Sequence, residues 1–195
     1  MNTETTQPKY LEVSSHFLHD AIDFELRYRH CMENDEGPSF WAMKSSRMKC
    51  FIDLRMGIES ALKSIVCYYE SNGRVGRNLV NWITNFSHHV DKLIRKAKPH
   101  LDTEFVDQHF DQIVGLKGLP VDLRYRIDAW DFSDVKEDVY YQTIGDDSWL
   151  AQMHELLKDL IKAADLELSK HNRVVGLEEI TDEILEPRHV NPKFT

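Results

Sequence analysis

Ten histidines and three cysteines are the side chains of this 195-residue chain best suited to metal or proton chemistry. His16, His19, Asp20 and Asp23 recur at steps of three and four, a spacing with which one helix face can hold a metal ion. Metal sites in helical bundles, however, draw inward-pointing ligands from several helices. On a helical wheel this quartet lies opposite Phe17, Phe24 and Tyr28, so it is expected to face water, and no metal is assigned to it. His88 and His89 are sequence neighbours and cannot share a helix face. One is expected to meet solvent or a loop carbonyl, the other to hydrogen-bond at the edge of the core. His154 is expected to be a satisfied buried or boundary histidine. Cys31, Cys50 and Cys67 are odd in number and lack C-x-x-C pairing, so they are expected to fill core space. A glycine-rich phosphate loop, a G-x-S-x-G elbow and an H-E-x-x-H helix are all missing, and nothing calls for a cofactor.

Cations gather in two places. Lys92, Arg95, Lys96 and Lys98, with Arg74 and Arg77 upstream, make a basic cluster that suits an RNA backbone, although such a run is more usually a solvated helix end. Arg124 and Arg126 stand beside Tyr125 and Trp130, and arginine among aromatics suits stacked bases or a protein hot spot. The plainer reading pins the loop by its aromatics and pairs the arginines with Asp122 and Asp128.

The net charge of −9 repels a phosphate backbone on average, so RNA binding requires such a local patch. Part of that charge is segregated, because residues 177–187 hold Glu178, Glu179, Asp182, Glu183 and Glu186 with no basic residue. The start, MNTETTQPKY, lacks an apolar signal core, and no run approaches the roughly 20 apolar residues of a membrane span. A cytoplasmic location with no membrane partner is expected.

These residues must be positioned by helices. An apolar fraction of 42% with only 8 Gly and 6 Pro favours long continuous elements. Phe17, Ala21, Phe24, Tyr28 and Cys31 recur with helical period, and the turn chemistry of residues 34–38 ends that stretch. A second helix is expected from Ser39, with the seam Phe51, Leu54, Ile58, Leu62, Ile65 and Tyr69. Gly57 inside it costs about 1 kcal/mol relative to Ala and so implies close packing against a neighbour. The stripe from Leu79 to Ala97 reads as a third helix, ending in cations and Pro99. A fourth helix is expected behind an Asp102 or Thr103 cap, and a fifth from about Ser148. Residues 115–147 read as a long irregular connection, with the period-two stretch 121–128 packed across the bundle.

The expected architecture is therefore all-α: an antiparallel bundle of about five helices, with a long irregular loop before the last long helix. Its domain plan is a flexible lead at 1–11, the bundle at 12–172, and an acidic tail at 173–195 with room for one short helix.

Three stretches carry a family resemblance. Gly57-Ile58-Glu59-Ser60-Ala61-Leu62-Lys63 is similar to the E-x-x-L-K centre of the long second helix of the HEPN (higher eukaryotes and prokaryotes nucleotide-binding) superfamily. Ser87-His88-His89-Val90-Asp91-Lys92-Leu93 resembles its H-x-L-x-x-L helix opening, and Leu123-Arg124-Tyr125 resembles its L-R-Y. The resemblance spans about residues 12–170 and rests on the order of the three motifs. It implies an α-bundle, often a homodimer, tied to RNA cleavage, toxin–antitoxin pairs or phage defence. The family's ribonucleases place a histidine shortly after an arginine, and Arg95 and His100 have that spacing here. Their roles would be phosphate-charge stabilisation and proton transfer, with no metal. Pro99 falls inside the pair, and Lys96 stands where the family usually has a polar residue. The expectation is a protein that acts by binding, with two alternatives: a metal-independent endoribonuclease, or an interaction module docking a protein through the acidic tail or the 115–147 loop.

Overall fold

A computed structural model describes residues 9–33, 44–119, 121–124, 131–132 and 134–172. The acidic segment 173–195, most of the N-terminal lead, and Tyr125, Arg126 and Trp130 lie outside the described residues. The fold is an all-α bundle, and no strand occurs among the described residues.

Helix α1 (Tyr10–Glu33) packs along α2 (Lys44–Glu70), and the two run antiparallel. Ser14 Oγ of α1 donates to the Ser64 carbonyl of α2 at 2.7 Å near one end, while Arg27 meets Asp53 at 3.6 Å towards the other. Helices α3 (Gly76–Thr84) and α4 (Val90–Ala97) follow, then a 3₁₀ turn at Lys98–His100 and α5 (Thr103–Gly115). Beyond two further 3₁₀ turns, Leu116–Gly118 and Val121–Arg124, come the short α6 (Glu137–Gln142) and the long α7 (Asp147–Asn172).

The centre of the bundle is α2, which is wrapped nearly all round. Its seam Phe51, Leu54, Ile58, Leu62 and Ile65 is buried, as expected. The opposite side is buried too, and that side carries Arg55, Glu59, Ser60, Lys63 and Ser64. Helices α1, α7 and α4 and the turn Val121–Arg124 all pack on α2. Gly57 lets them approach closely: a Cβ there would stand 2.7 Å from Leu157 Cδ2 of α7 and 3.3 Å from Phe24 Cβ of α1. This is the close packing its place in the seam implies.

Helix α7 runs in the same direction as α2. The Phe51 and Trp149 rings meet with centroids 5.7 Å apart near the start of both helices, and Tyr69 hydrogen-bonds Glu167 near their ends. The crossover between these parallel helices is residues 71–146, and its return leg is α5, which runs against α7 with His109 4.0 Å from Asp159 and Gln112 3.5 Å from Gln152. Arg47, buried on α2, pins the end of that crossover: its Nε donates to the Ile144 carbonyl at 2.9 Å and its guanidinium meets Asp147 at 2.6 Å.

Two expectations about elements change. The apolar stripe 79–97 is two helices, not one. Ser87 takes a left-handed backbone (φ 45°) between them, and the chain turns so that α4 runs alongside α2 in the same direction. Nor do the described residues of 115–147 form an irregular loop. Among them Val121 and Leu123 are buried against α2 with Asp122 exposed between them, and α6 covers part of the stretch. The expected Asp102 cap holds, accepting from the Glu104 N–H at 2.8 Å ahead of α5, while the cap expected at Ser39 lies outside the described residues; ahead of α7 it is Asp146 that accepts from the Trp149 N–H at 2.9 Å.

Candidate functional site

Arg55, Glu59 and Lys63 follow one another at i, i+4 and i+8 along α2, so they stack on one face of the helix. That face lies inside the bundle, where Glu59 is only 1% exposed. Its carboxylate takes Lys63 Nζ at 2.6 Å and stands 3.8 Å from Arg55. The turn between α3 and α4 brings His88 to the same carboxylate, with Nδ1 2.9 Å away. Arg55 in turn donates to the His88 backbone carbonyl at 3.2 Å. Burial holds the Arg55 guanidinium below the usual arginine range, and Glu59 offsets this only in part. His88 is thus the hydrogen-bonding member of the histidine pair, while His89 is exposed.

A second cluster lies where α2 ends. Glu70 Oε1 meets His100 Nε2 at 3.0 Å, and Lys96 Nζ approaches the same carboxylate at 3.8 Å. The His100 imidazole stacks flat on Tyr69, with centroids 4.2 Å apart and planes 3° from parallel. The hydrogen bond from His100, helped by Lys96, holds the Glu70 carboxyl below its ordinary range. A carboxylate that fixes an imidazole can orient it for proton transfer or simply clamp the 3₁₀ turn to α2.

Beside this cluster α4 presents a basic ridge. Lys92, Arg95, Lys96 and Lys98 are all exposed, because Val90, Leu93, Ile94 and Ala97 occupy its buried side. Arg95 and Lys98 sit over the Phe110 ring of α5, 5.5 and 4.9 Å from its centroid. Of the four, Lys96 alone meets a carboxylate among the described residues. Arg74 is held elsewhere, by the Ser71 carbonyl at 2.9 Å and over the Trp82 ring.

Arg95 and His100 therefore take different partners: the guanidinium lies against Phe110, the imidazole against Glu70 and Tyr69. Arg124 closes a 3₁₀ turn on α2, and the other members of its cluster fall outside the described residues. His16, His19, Asp20 and Asp23 are all exposed, on the side of α1 expected to face water. His154 is a satisfied boundary histidine, with Nε2 2.7 Å from Glu25 and its ring tilted against Tyr28. Burial raises the Glu25 carboxyl, but the His154 hydrogen bond and Arg29 outweigh it and leave the group below its ordinary range. Cys50 and Cys67 are buried core residues with free thiols that burial pushes up to about 12, and the Cys50 thiol also hydrogen-bonds that of Cys31 between α2 and α1.

Sequence reasoning missed both carboxylates as site-formers. Glu59 reads as ordinary helix sequence, and Glu70 as the last residue before a turn. The legible signal for the first was an Arg-x-x-x-Glu-x-x-x-Lys ladder on a helix that is apolar on its other faces. Comparison with protein-family models, curated proteins and solved structures returned no match.

Proposed function

We propose that this protein is a HEPN-like helical protein of an RNA-linked system, of the phage-defence or toxin–antitoxin kind, and that it acts by binding. The α4 ridge is the RNA-contacting surface in this reading. The observation that carries it is that Lys92, Arg95 and Lys98 are exposed with no carboxylate partner among the described residues, in a chain whose net charge is −9. An aromatic ring cancels no charge, so Arg95 and Lys98 keep their full positive charge and stay displayed beside a half-buried Phe110. Support for the family reading comes from the way its three segments converge on α2: Glu59 and Lys63 lie on it, His88 bonds Glu59, and Leu123 is buried against it. A homodimer belongs to the same proposal.

The test is fluorescence anisotropy with a labelled single-stranded oligoribonucleotide across a salt series. Four ridge cations neutralising four phosphates give a log–log salt slope of about −3. The double variant Lys92→Glu, Lys98→Glu is expected to halve that slope and weaken binding at least tenfold at low salt. RNA binding that ignores these substitutions, or no binding by the natural chain, overturns the proposal.

A further inference from the structure

Because α7 runs parallel to α2, its last turns finish at the end of the bundle where α2 also finishes. Glu167 there hydrogen-bonds Tyr69, and the next residue of α2, Glu70, gathers His100 and Lys96. The described part of α7 therefore ends, at Asn172, at the same end of the bundle as Lys96 of the α4 ridge. Six residues further on begins the most acidic stretch of the sequence, Glu178, Glu179, Asp182, Glu183 and Glu186, with no cation in 177–187. Six extended residues reach up to about 20 Å. The ridge from Lys92 to Lys98 rises only about 9 Å along the helix. Tether, length and sign of charge all match.

We infer that segment 177–187 docks on the α4 ridge of its own chain, its carboxylates meeting Lys92, Arg95, Lys96 and Lys98. Each exposed pair contributes little alone. Five acids facing four cations form a network, and a short tether holds them at millimolar effective concentration, so the pairing does not depend on protein concentration. The acidic segment then occupies the surface assigned above to RNA and competes with it. That competition rests on the RNA reading; the docking does not.

Two measurements on the full chain separate the claims. Zero-length carbodiimide cross-linking followed by peptide mapping is expected to join Lys92, Lys96 or Lys98 to acids 178–186. The yield should survive tenfold dilution and fall away at about 0.5 M salt, where screening reaches only a few ångström. No cross-link to α4, or one that disappears on dilution, overturns the inference. The second measurement uses the variant Glu178→Gln, Glu179→Gln, Asp182→Asn, Glu183→Gln, Glu186→Gln and the same oligoribonucleotide. Removing the competitor is expected to tighten binding about three- to tenfold. Cross-links together with RNA affinity unchanged by the variant overturn the competition. Cross-links with no RNA binding by either protein leave the docking standing and remove the RNA reading.

Discussion

His88, in the turn between two short helices, places its Nδ1 2.9 Å from the carboxylate of Glu59, which lies at the middle of the central helix and is 1% exposed. That contact explains why the apolar stripe 79–97 does not run as one helix. The left-handed Ser87 lets the chain stop, turn and bring the imidazole in. Lys63 and Arg55 complete the group, so a single buried carboxylate serves two fixed cations and a histidine.

Breaking this group from the acidic side should be severe. Glu59→Ala leaves Arg55 and Lys63 inside the bundle without a counter-charge, and such breakage costs about 3–5 kcal/mol. Thermal unfolding followed by circular dichroism is expected to show a drop of roughly 10 °C or more. The triple variant Arg55→Met, Glu59→Leu, Lys63→Met should recover most of it, because the charges leave together. A single variant that unfolds within about 2 °C of the natural protein would show that the group carries no such energy.

Gly57→Ala sets two effects against each other. Alanine improves intrinsic helix stability by about 1 kcal/mol. The new Cβ, however, would stand 2.7 Å from Leu157 Cδ2 and 3.3 Å from Phe24 Cβ, so the Leu157 side chain must move and Phe24 must give by a few tenths of an ångström. Overpacking of this kind costs about 1–3 kcal/mol, and the net expectation is a loss of about 1 kcal/mol. The companion Leu157→Ala opens space beside Gly57, so the pair should be markedly non-additive in chemical denaturation. Simple additivity would argue against direct contact.

Much of this architecture can be read from periodicity, because a buried helix face must repeat every three or four residues. The seam Phe51–Ile65 follows from that alone, the packing role of Gly57 from its poor helix propensity inside the seam, and a cap at Asp102 or Thr103 from their side-chain chemistry. What periodicity cannot register is a turn made for a polar contact, such as Ser87–His88, since Leu79 to Ala97 stays apolar at helical spacing on both sides of it. Nor can it tell that the polar face of α2 is buried, because Glu59 and Lys63 look like a solvated ion pair until other elements cover them. The ridge cations were legible as a cluster; that Arg95 and Lys98 rest on an aromatic ring was not, since it depends on α5 offering Phe110 beside them.

The separate partners of Arg95 and His100 bear on catalysis. With the guanidinium over Phe110 and the imidazole clamped by Glu70, the binding reading expects mixed RNA to survive incubation with the protein, and with His100→Ala, to the same extent. Cleavage by the natural chain that His100→Ala abolishes would instead establish the ribonuclease alternative.

Glu70 predicts a pH dependence with a definite sign. Its carboxyl titrates below the ordinary 4.5 in the folded protein because His100 hydrogen-bonds it and Lys96 stands close. A carboxylate with a depressed folded value binds its proton more tightly in the unfolded chain, so falling pH favours unfolding. The stabilisation is therefore complete above the unfolded value near 4.5 and drains away as pH falls through the folded value beneath it. Glu70 is partly open to solvent, which limits the effect to about 1 kcal/mol. Glu70→Gln should accordingly lower the melting temperature by a few degrees at pH 7, and the gap should close between pH 5 and pH 3. His100→Ala should reproduce that narrowing. A gap that widens in acid, or one that stays constant across the range, would mean that the Glu70–His100 contact is not what holds the 3₁₀ turn against the end of α2.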